Sequence, residues 1–121
     1  MTVFDASALL AFLKGEVGAA AIEARLASGG FCSAANWSEV AQKTRQADAD
    51  WALARELLLS YELRIEPVTE ADGETAAMLW RAGAGLSLAD RLCLALSIRM
   101  KRDAVTTDTA WAGLRNVVLV R

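Results

Sequence analysis

The feature that most constrains this chain is a short apolar run that ends in a carboxylate and passes straight into a helix. Val3-Phe4 forms the run, Asp5 ends it, and an apolar helix begins near Ala6. In open α/β sheets, ligands bind in the crevice outside the carboxyl ends of the strands. Asp5 is therefore expected at such a crevice, and we interpret it as the first of four carboxylates that meet there.

Histidine is absent from the 121 residues. Its absence excludes Ser-His-Asp and Cys-His triads and every zinc site with a histidine ligand. The two cysteines, Cys32 and Cys93, form no CxxC pair and are expected to be buried free thiols. Carboxylates, hydroxyls, lysines and arginines remain for chemistry, and hard oxygen ligands suit Mg²⁺ or Mn²⁺.

The length suits a single domain, residues 1–121, with one core. A net charge of −2 argues against a broad electrostatic grip on nucleic acid, so any such contact must be local or bridged by a metal. No apolar stretch approaches the roughly 20 residues of a membrane span, and Asp5 comes too early for a signal peptide. Together with the free thiols, this predicts a cytoplasmic protein with no membrane contact.

Short apolar runs alternate with amphipathic segments of helical spacing along the whole chain. This alternation predicts a three-layer α/β/α fold with a central, mostly parallel sheet of four to five short strands. Pro67 places its strand at the sheet edge, because proline is tolerated there. The predicted strands are 2–5, 31–33, 64–68, 104–107 and 116–120, and the predicted helices are 6–13, 16–28, 34–46, a segment capped by Asp48, 69–81 and 87–101.

Four carboxylates are the candidate site residues, and each also has a local structural explanation. Asp5 and Asp108 each follow a strand and could cap the turn that comes next. Glu39 follows Asn36 by three residues and Asp90 follows Ser87 by three residues, which is the spacing of a capping box. Taken singly, each capping role competes with a role as a metal ligand.

The placement of the four together favours a metal site. Asp5, Asp108 and the segment that leads to Glu39 all come just after apolar strands, at the same edge of a parallel sheet. Asp90 lies on the most apolar helix, where an unpaired carboxylate is costly. Anions gathered in one crevice raise each other's pKa unless a cation lies among them. Asp103 precedes the strand that Asp108 follows. It therefore lies more than about 13 Å from Asp108, at the opposite edge of the sheet, and is interpreted as solvated surface.

Four segments in this order resemble the PIN domain family, and most closely its VapC-type toxins. They are Val-Phe-Asp5-Ala-Ser-Ala-Leu-Leu, Ser33-Ala-Ala-Asn-Trp-Ser-Glu39-Val, Leu-Ser-Leu-Ala-Asp90-Arg-Leu-Cys-Leu-Ala and Thr106-Thr-Asp108-Thr-Ala-Trp. The resemblance covers essentially the whole chain. Trp111 departs from the phenylalanine that is more frequent in the family, which changes packing and not chemistry.

The resemblance implies an endoribonuclease that uses Mg²⁺ or Mn²⁺ to cleave cellular RNA as the toxin of a toxin–antitoxin pair. It also implies a toxin homodimer and a small antitoxin whose C-terminal segment wraps the toxin and obstructs the site. By matching position, the acidic quartet and metal ligands would be Asp5, Glu39, Asp90 and Asp108. Ser7, Asn36 and Thr107 would be secondary polar contacts to metal-bound water or phosphate.

The densest group of cations lies on or just after the helix of Asp90. Arg99, Lys101 and Arg102 are interpreted as a solvated helix end that complements the helix dipole. Arg91, beside Asp90, is the better candidate for a contact with an RNA phosphate.

Three tryptophans, Trp37, Trp51 and Trp80, are expected in the core or an interface rather than as base-stacking platforms. The stripe from Trp51 to Tyr61 is a candidate antitoxin groove or dimer face.

Three rival functions remain open from the sequence. The chain could be a PIN-domain nuclease of RNA processing or DNA repair, although its small size favours the toxin. It could be a receiver-type regulatory module, but that requires an acidic pair after the first strand, where Asp5 stands alone. It could also be a non-catalytic domain that binds a partner, for which metal-stimulated RNA cleavage would be absent.

Overall fold

The computed structural model describes residues 1–121 as five strands and six helices. The strands are β1 (Thr2–Phe4), β2 (Gly30–Ser33), β3 (Leu63–Glu66), β4 (Ala104–Thr106) and β5 (Val117–Leu119). The helices are α1 (Ala6–Lys14), α2 (Ala19–Leu26), α3 (Ala34–Gln46), α4 (Trp51–Leu59), α5 (Glu70–Met78) and α6 (Leu88–Met100).

The five strands form one sheet in the order β3-β2-β1-β4-β5, and every neighbouring pair is parallel. The first strand lies in the centre, with Val3 opposite both Phe31 of β2 and Ala104 of β4. The prediction of a parallel sheet in an α/β/α fold is therefore confirmed. Since β1, β2 and β4 are adjacent and parallel, the residues that follow them meet at one edge of the sheet.

The sheet is covered on both faces, so the core has two parts. Phe4 belongs to a cluster with Leu9, Leu26 and Val105 on one face. Its neighbour Val3 belongs to a second cluster on the other face, because successive side chains of a strand point to opposite sides. Buried members of the second cluster include Phe31, Cys93, Leu96 and Trp111. Cys32 and Cys93 are both buried and unbridged, as expected.

The second helix is shorter than the predicted segment 16–28, in which the helical spacing of Val17, Ala20, Ala21 and Ala24 indicated an apolar face. It begins at Ala19 because Gly18 takes the left-handed conformation, which leaves Val17 outside the helix and 83% exposed. The buried positions are Ile22 and Leu26. The alanines of the predicted apolar face are exposed, because burial of the larger side chains of Ile22 and Leu26 removes more apolar surface from water.

Two helices are capped by residues other than the predicted ones. The cap of α4 is Asp50, whose carboxylate accepts from the amide of Leu53, whereas Asp48 has a left-handed backbone (φ 56°). The cap of α3 is Ser33, whose hydroxyl accepts from the amide of Ala35. Asn36 and Glu39 therefore lie inside α3 and do not form a capping box.

The edge position of the proline-containing segment is confirmed, since β3 is the outer strand and Pro67 follows its last residue.

Arg99 is exposed in the last turn of α6, as expected, and it also forms an ion pair that the sequence analysis did not predict. Its Nε donates to Asp72 on α5 at 3.0 Å, which makes the only ion pair in the structure. Lys101 and Arg102 are exposed, as expected.

The Trp51–Tyr61 stripe packs against the core instead of facing solvent as a whole. Trp51 packs edge-on to Trp37 with ring centroids 5.0 Å apart, and Tyr61 packs edge-on to Phe12. The outward face of this region carries the exposed side chains of Leu53 and Leu57.

Trp80 is 59% exposed, so it is not a core residue.

No helix in the structure combines the length and the apolar character needed to cross a membrane.

Candidate active site at the carboxyl edge of the sheet

Asp5 lies at the end of the central strand and is 3% exposed. Its Oδ1 accepts from the amide of Ala8 at 2.8 Å, so the local role as the cap of α1 is realised. The same carboxylate also accepts from the hydroxyl of Ser7 at 2.7 Å and, through Oδ2, from the hydroxyl of Thr106 at 2.6 Å. One buried carboxylate therefore caps a helix and joins two strand ends.

Two hydroxyls connect Asp5 to the segment that follows β4. The Ser7 hydroxyl accepts from the amide of Thr107 at 3.0 Å, and the Thr106 hydroxyl accepts from the amide of Asp108 at 3.0 Å. Ser7 therefore contacts Asp5 directly, whereas Thr107 contacts Ser7 only through its backbone amide. Their role as secondary polar contacts to metal-bound water or phosphate stays a prediction.

Thr106 is a member of this hydrogen-bond network that the sequence analysis missed. It is fully buried and its hydroxyl touches both the Asp5 carboxylate and the Asp108 amide. The sequence did offer one signal for it. Thr106 is the last residue of β4, which pairs with β1, and it comes one position before Thr107, which the sequence analysis named.

Asp108 follows β4 directly and is partly buried. Its carboxylate accepts from the amide of Ala110 at 2.9 Å, so it caps the short 3₁₀ turn at Thr109–Trp111. As with Asp5, the capping role and the position at the sheet edge occur together.

Asp90 lies in the first turn of α6 and forms a complete capping box with Ser87. Its Oδ2 accepts from the amide of Ser87 at 2.9 Å. Its negative charge also acts on Asp5 and contributes to the raised pKa of that group. The helix that carries Asp90 therefore brings a second carboxylate toward the first.

Glu39 is half-buried on α3, and its charge reaches the same interior region. Burial raises the pKa of the Cys93 thiol, and the charges of Asp5, Asp90 and Glu39 raise it further. Three carboxylates from different parts of the chain thus lie near enough to the buried Cys93 thiol to affect its pKa.

Asn36 connects α3 to the start of α6. It is 1% exposed, and its Nδ2 donates to the carbonyl of Ala89, next to Asp90, at 3.3 Å. Its Oδ1 is buried without a hydrogen-bond partner. Such an atom costs free energy unless a donor or a cation reaches it.

The electrostatic environment of Asp5 is unusual for a carboxylate. Burial raises its pKa from 3.8 to about 6, although the hydrogen bonds from Thr106, Ala8 and Ser7 partly oppose the rise. No basic side chain forms an ion pair with it. At neutral pH the group is therefore an anion held in a site that disfavours its charge.

Arg91 is engaged within the protein. Its Nη1 donates to the carbonyl of Ala76 on α5 at 2.8 Å, and its Nε is buried without a partner. Its expected contact with an RNA phosphate stays a prediction, and the structure gives it a role in joining α5 to α6.

The donors at this edge fit a hard divalent cation in kind: carboxylate oxygens, the unpartnered amide oxygen of Asn36 and an anionic Asp5 with no cation of its own. In this arrangement, however, no three acidic or cysteine side chains are spaced to hold one ion. Asp5, Glu39, Asp90 and Asp108 therefore stay a predicted ligand set.

Solved structures of other proteins share this fold. A toxin–antitoxin complex from Klebsiella pneumoniae has a TM-score of 0.77 at 21% identity, over 98% of this chain and 96% of that chain. VapC20 from Mycobacterium tuberculosis, a Sarcin-Ricin loop cleaving toxin, has a TM-score of 0.71 at 20% identity, over 89% and 90%. VapBC2 from Rickettsia felis, bound to a DNA fragment from their promoter, has a TM-score of 0.72 at 16% identity, over 98% and 96%.

A comparison with curated protein sequences found no match. The family model of the PIN domain, by contrast, matches residues 2–116, which run from the first strand into the segment before the last one. The matched region contains all four candidate carboxylates and the whole network around Asp5. This chain therefore belongs to the PIN domain family.

Proposed function

We propose that this protein is a Mg²⁺- or Mn²⁺-dependent endoribonuclease that acts as the toxin of a toxin–antitoxin pair. The observation that carries the proposal is Asp5: a carboxylate 3% exposed, with no cation in the chain to pair with it, at the carboxyl edge of a PIN-domain sheet. A buried anion without a positively charged partner is costly, and proteins keep such groups where they bind or react.

The proposed metal ligands are Asp5, Asp90 and Asp108, and Glu39 would complete the acidic quartet. A bound Mg²⁺ or Mn²⁺ would lower the pKa of water and offset charge that develops on the phosphate in the transition state. Asp5 is suited to hold the ion because neutral hydroxyls and an amide orient it without cancelling its charge.

Glu39 would accept the proton of the attacking water. It is half-buried on α3, and that helix is joined to the start of α6 by the Asn36 side chain. Asn36 would keep α3 and α6 in register, so that Glu39 and Asp90 stay on the same side of the scissile phosphate.

Three observations support the toxin role. Two of the structures with this fold are toxin–antitoxin assemblies, and a third is a toxin that cleaves the Sarcin-Ricin loop. By the same reasoning we propose an RNA substrate, an antitoxin partner, a homodimer and a cytoplasmic site of action. Light scattering of the purified protein is expected to give roughly twice the chain mass of 12.9 kDa.

The decisive experiment is RNA cleavage by antitoxin-free protein, with Mn²⁺, with Mg²⁺ and with EDTA. Cleavage is expected only with metal, and Asp90→Asn is expected to abolish it while the far-ultraviolet circular dichroism stays unchanged. Asp103→Asn is the matched control, since Asp103 is exposed and lies before β4, at the opposite edge of the sheet.

Two results would contradict the proposal. One is the absence of metal-stimulated cleavage over a broad set of RNAs, which would favour a non-catalytic partner-binding domain. The other is equal loss of activity in Asp90→Asn and Asp103→Asn, which would show that the acidic quartet is not the site of cleavage.

A further inference from the structure

A groove with a volume of about 650 Å³ opens beside the acidic edge of the sheet. Ser7 and Thr107 line it, and the Ser7 hydroxyl donates to Asp5. Lys14 lines it as well, two turns further along α1, which corresponds to about 10 Å. The groove therefore leads away from the proposed reaction centre along one face of a helix.

The charged side chains of the groove are mostly cationic. Lys14, Lys43 and Arg121 line it, with Glu16 as the one carboxylate. None of these three cations forms an ion pair, since the only one in the structure joins Arg99 to Asp72. This local excess of positive charge stands in a chain of net charge −2.

Arg121 fixes one side of the groove close to the acidic residues. Its Nη1 donates to the carbonyl of Thr107, the residue before Asp108, at 3.2 Å. The remaining donors of its guanidinium are free to contact an anion. A phosphate in the groove would therefore meet a cation next to the carboxylates.

The floor of the groove is apolar, with Leu10, Ala11 and Val120 buried beneath it. No aromatic ring lines it, so it offers no platform on which a base could stack. Such a surface can accept a sugar–phosphate backbone but has little means to read bases.

Two arginines of the neighbouring helix α6 are already engaged within the protein. Arg91 donates to the carbonyl of Ala76, and Arg99 pairs with Asp72. The free positive charge beside the site therefore lies on α1, on α3 and on Arg121, and not on α6.

We infer that this Lys14–Lys43 groove binds the backbone phosphates of single-stranded RNA next to the scissile bond. The inference rests on the proposed nuclease function, because the groove would set the path that the RNA strand follows away from the acidic quartet. The groove offsets the repulsion between those carboxylates and the phosphates, and it does so without sequence preference.

The test is the salt dependence of RNA binding, measured by fluorescence anisotropy in EDTA so that binding is separated from cleavage. The probe is a labelled single-stranded RNA of mixed sequence. The variant is Lys14→Ala/Lys43→Ala, and the matched control is Lys101→Ala/Arg102→Ala, which removes two exposed cations from the opposite edge of the sheet.

Each lysine that contacts a phosphate contributes about 0.7 to the slope of log K against log salt for a single strand. The wild-type protein is therefore expected to lose roughly sevenfold more affinity than the groove variant between about 50 and 200 mM salt. The control is expected to keep the wild-type slope, and the affinity lost in the variant is expected to be similar for RNAs of different sequence.

An unchanged slope in the groove variant, or an equal change in the control, overturns the inference. A loss of binding confined to the groove variant supports it, whether or not the wild-type protein cuts the probe when metal is added. Absence of cleavage under those conditions counts against the nuclease proposal alone, so the two failures are distinguishable.

Discussion

Asp5 and Asp72 are buried to nearly the same degree, with 3% and 4% of their surface exposed, yet their surroundings are opposite. Asp72 receives two hydrogen bonds from the Arg99 guanidinium, at 3.0 and 3.1 Å, and completes a capping box with Thr69. Asp5 receives hydrogen bonds from neutral groups only. The chain supplies a cation for one carboxylate and none for the other.

The pKa values of the two groups follow from this difference. Burial tends to raise the pKa of Asp72, but the hydrogen bonds from Arg99 and Thr69 together with the charge of Arg99 outweigh it and hold the pKa below the usual 3.8. Burial dominates at Asp5 and raises its pKa to about 6. The comparison indicates that Asp72 is a structural carboxylate, and it supports the proposal that Asp5 receives its cation from outside the chain.

The largest expected effect is on catalysis. Asp5→Asn is expected to reduce metal-dependent RNA cleavage by a factor on the order of 10³ or more, which exceeds the roughly 10–100-fold losses caused by groups that only support a metal ligand. Asp72→Asn is expected to leave the rate within about twofold at a temperature where it stays folded. Initial rates at saturating Mn²⁺ measure both, and similar losses in the two variants would end the distinction between them.

The second expected effect is on the pH dependence of stability without metal. Asp5 has a pKa of 3.8 in the unfolded chain and about 6 in the folded protein, so the folded state binds its proton more tightly. Stability should therefore fall as the pH rises from about 4 to 6 and then level off, for a total of about 3 kcal/mol. Asp72 has the opposite sign, because its lowered pKa contributes stability above its unfolded value that is lost as the pH falls.

Urea unfolding in EDTA across this pH range measures the difference. Asp5→Asn is expected to remove the fall and to be more stable than the wild type above pH 6, by at most about 3 kcal/mol. Addition of Mn²⁺ at neutral pH should stabilise the wild type and not this variant. A wild-type curve that rises through the same pH range would show that Asp5 is stabilised as an anion by the chain itself.

The third expected effect is the stability cost of removing Asp72. Asp72→Ala deletes the hydrogen bonds to Arg99 and half of the capping box, and we expect a loss of about 2 kcal/mol at neutral pH. Asp103→Ala, at an exposed position, should stay within about 0.5 kcal/mol of the wild type. Denaturant midpoints at equal slope measure both, and a neutral Asp72→Ala would mean that the ion pair contributes nothing to the fold.

The smallest expected effect concerns the hydroxyl that orients Asp5. Thr106→Val keeps the shape of the buried side chain but removes the bonds to Asp5 and to the amide of Asp108. We expect a fall in the cleavage rate of roughly 10-fold, with weaker metal binding, and recovery in Thr106→Ser. Titration of activity against Mn²⁺ separates the two contributions. Failure of Thr106→Ser to recover activity would indicate that the methyl group, through packing, matters more than the hydroxyl.

Much of the fold and of the candidate site could be predicted from the sequence, because the signals are local. A short apolar run followed by a helix predicts a parallel sheet, and the residue after each run is then placed at its carboxyl edge. Asp5 and Asp108 were found in this way, and the structure joins them through Thr106. The capping box of Ser87 and Asp90 needs only four residues and was also predicted correctly.

Other features could not be predicted from the sequence, because they depend on how segments far apart in the chain pack together. Nothing near Thr106 indicates that its side chain, rather than that of Thr107, faces Asp5; the pairing of Phe4 with Val105 decides this. Arg99 and Asp72 are 27 residues apart and meet only because α5 packs against α6. Local patterns could not show that Asp50 and not Asp48 caps α4, or that Ile22 and not Val17 is buried, since both members of each pair are suitable residue types.

The sequence by itself determined which residues end each strand and cap each helix, since hydrogen bonds of this kind form between residues a few positions apart. Only the tertiary structure decided which buried carboxylate is neutralised and which is not. That outcome depends on the removal of water and on the distance to charges from other elements, and both quantities exist only after the sheet and its covering helices have come together.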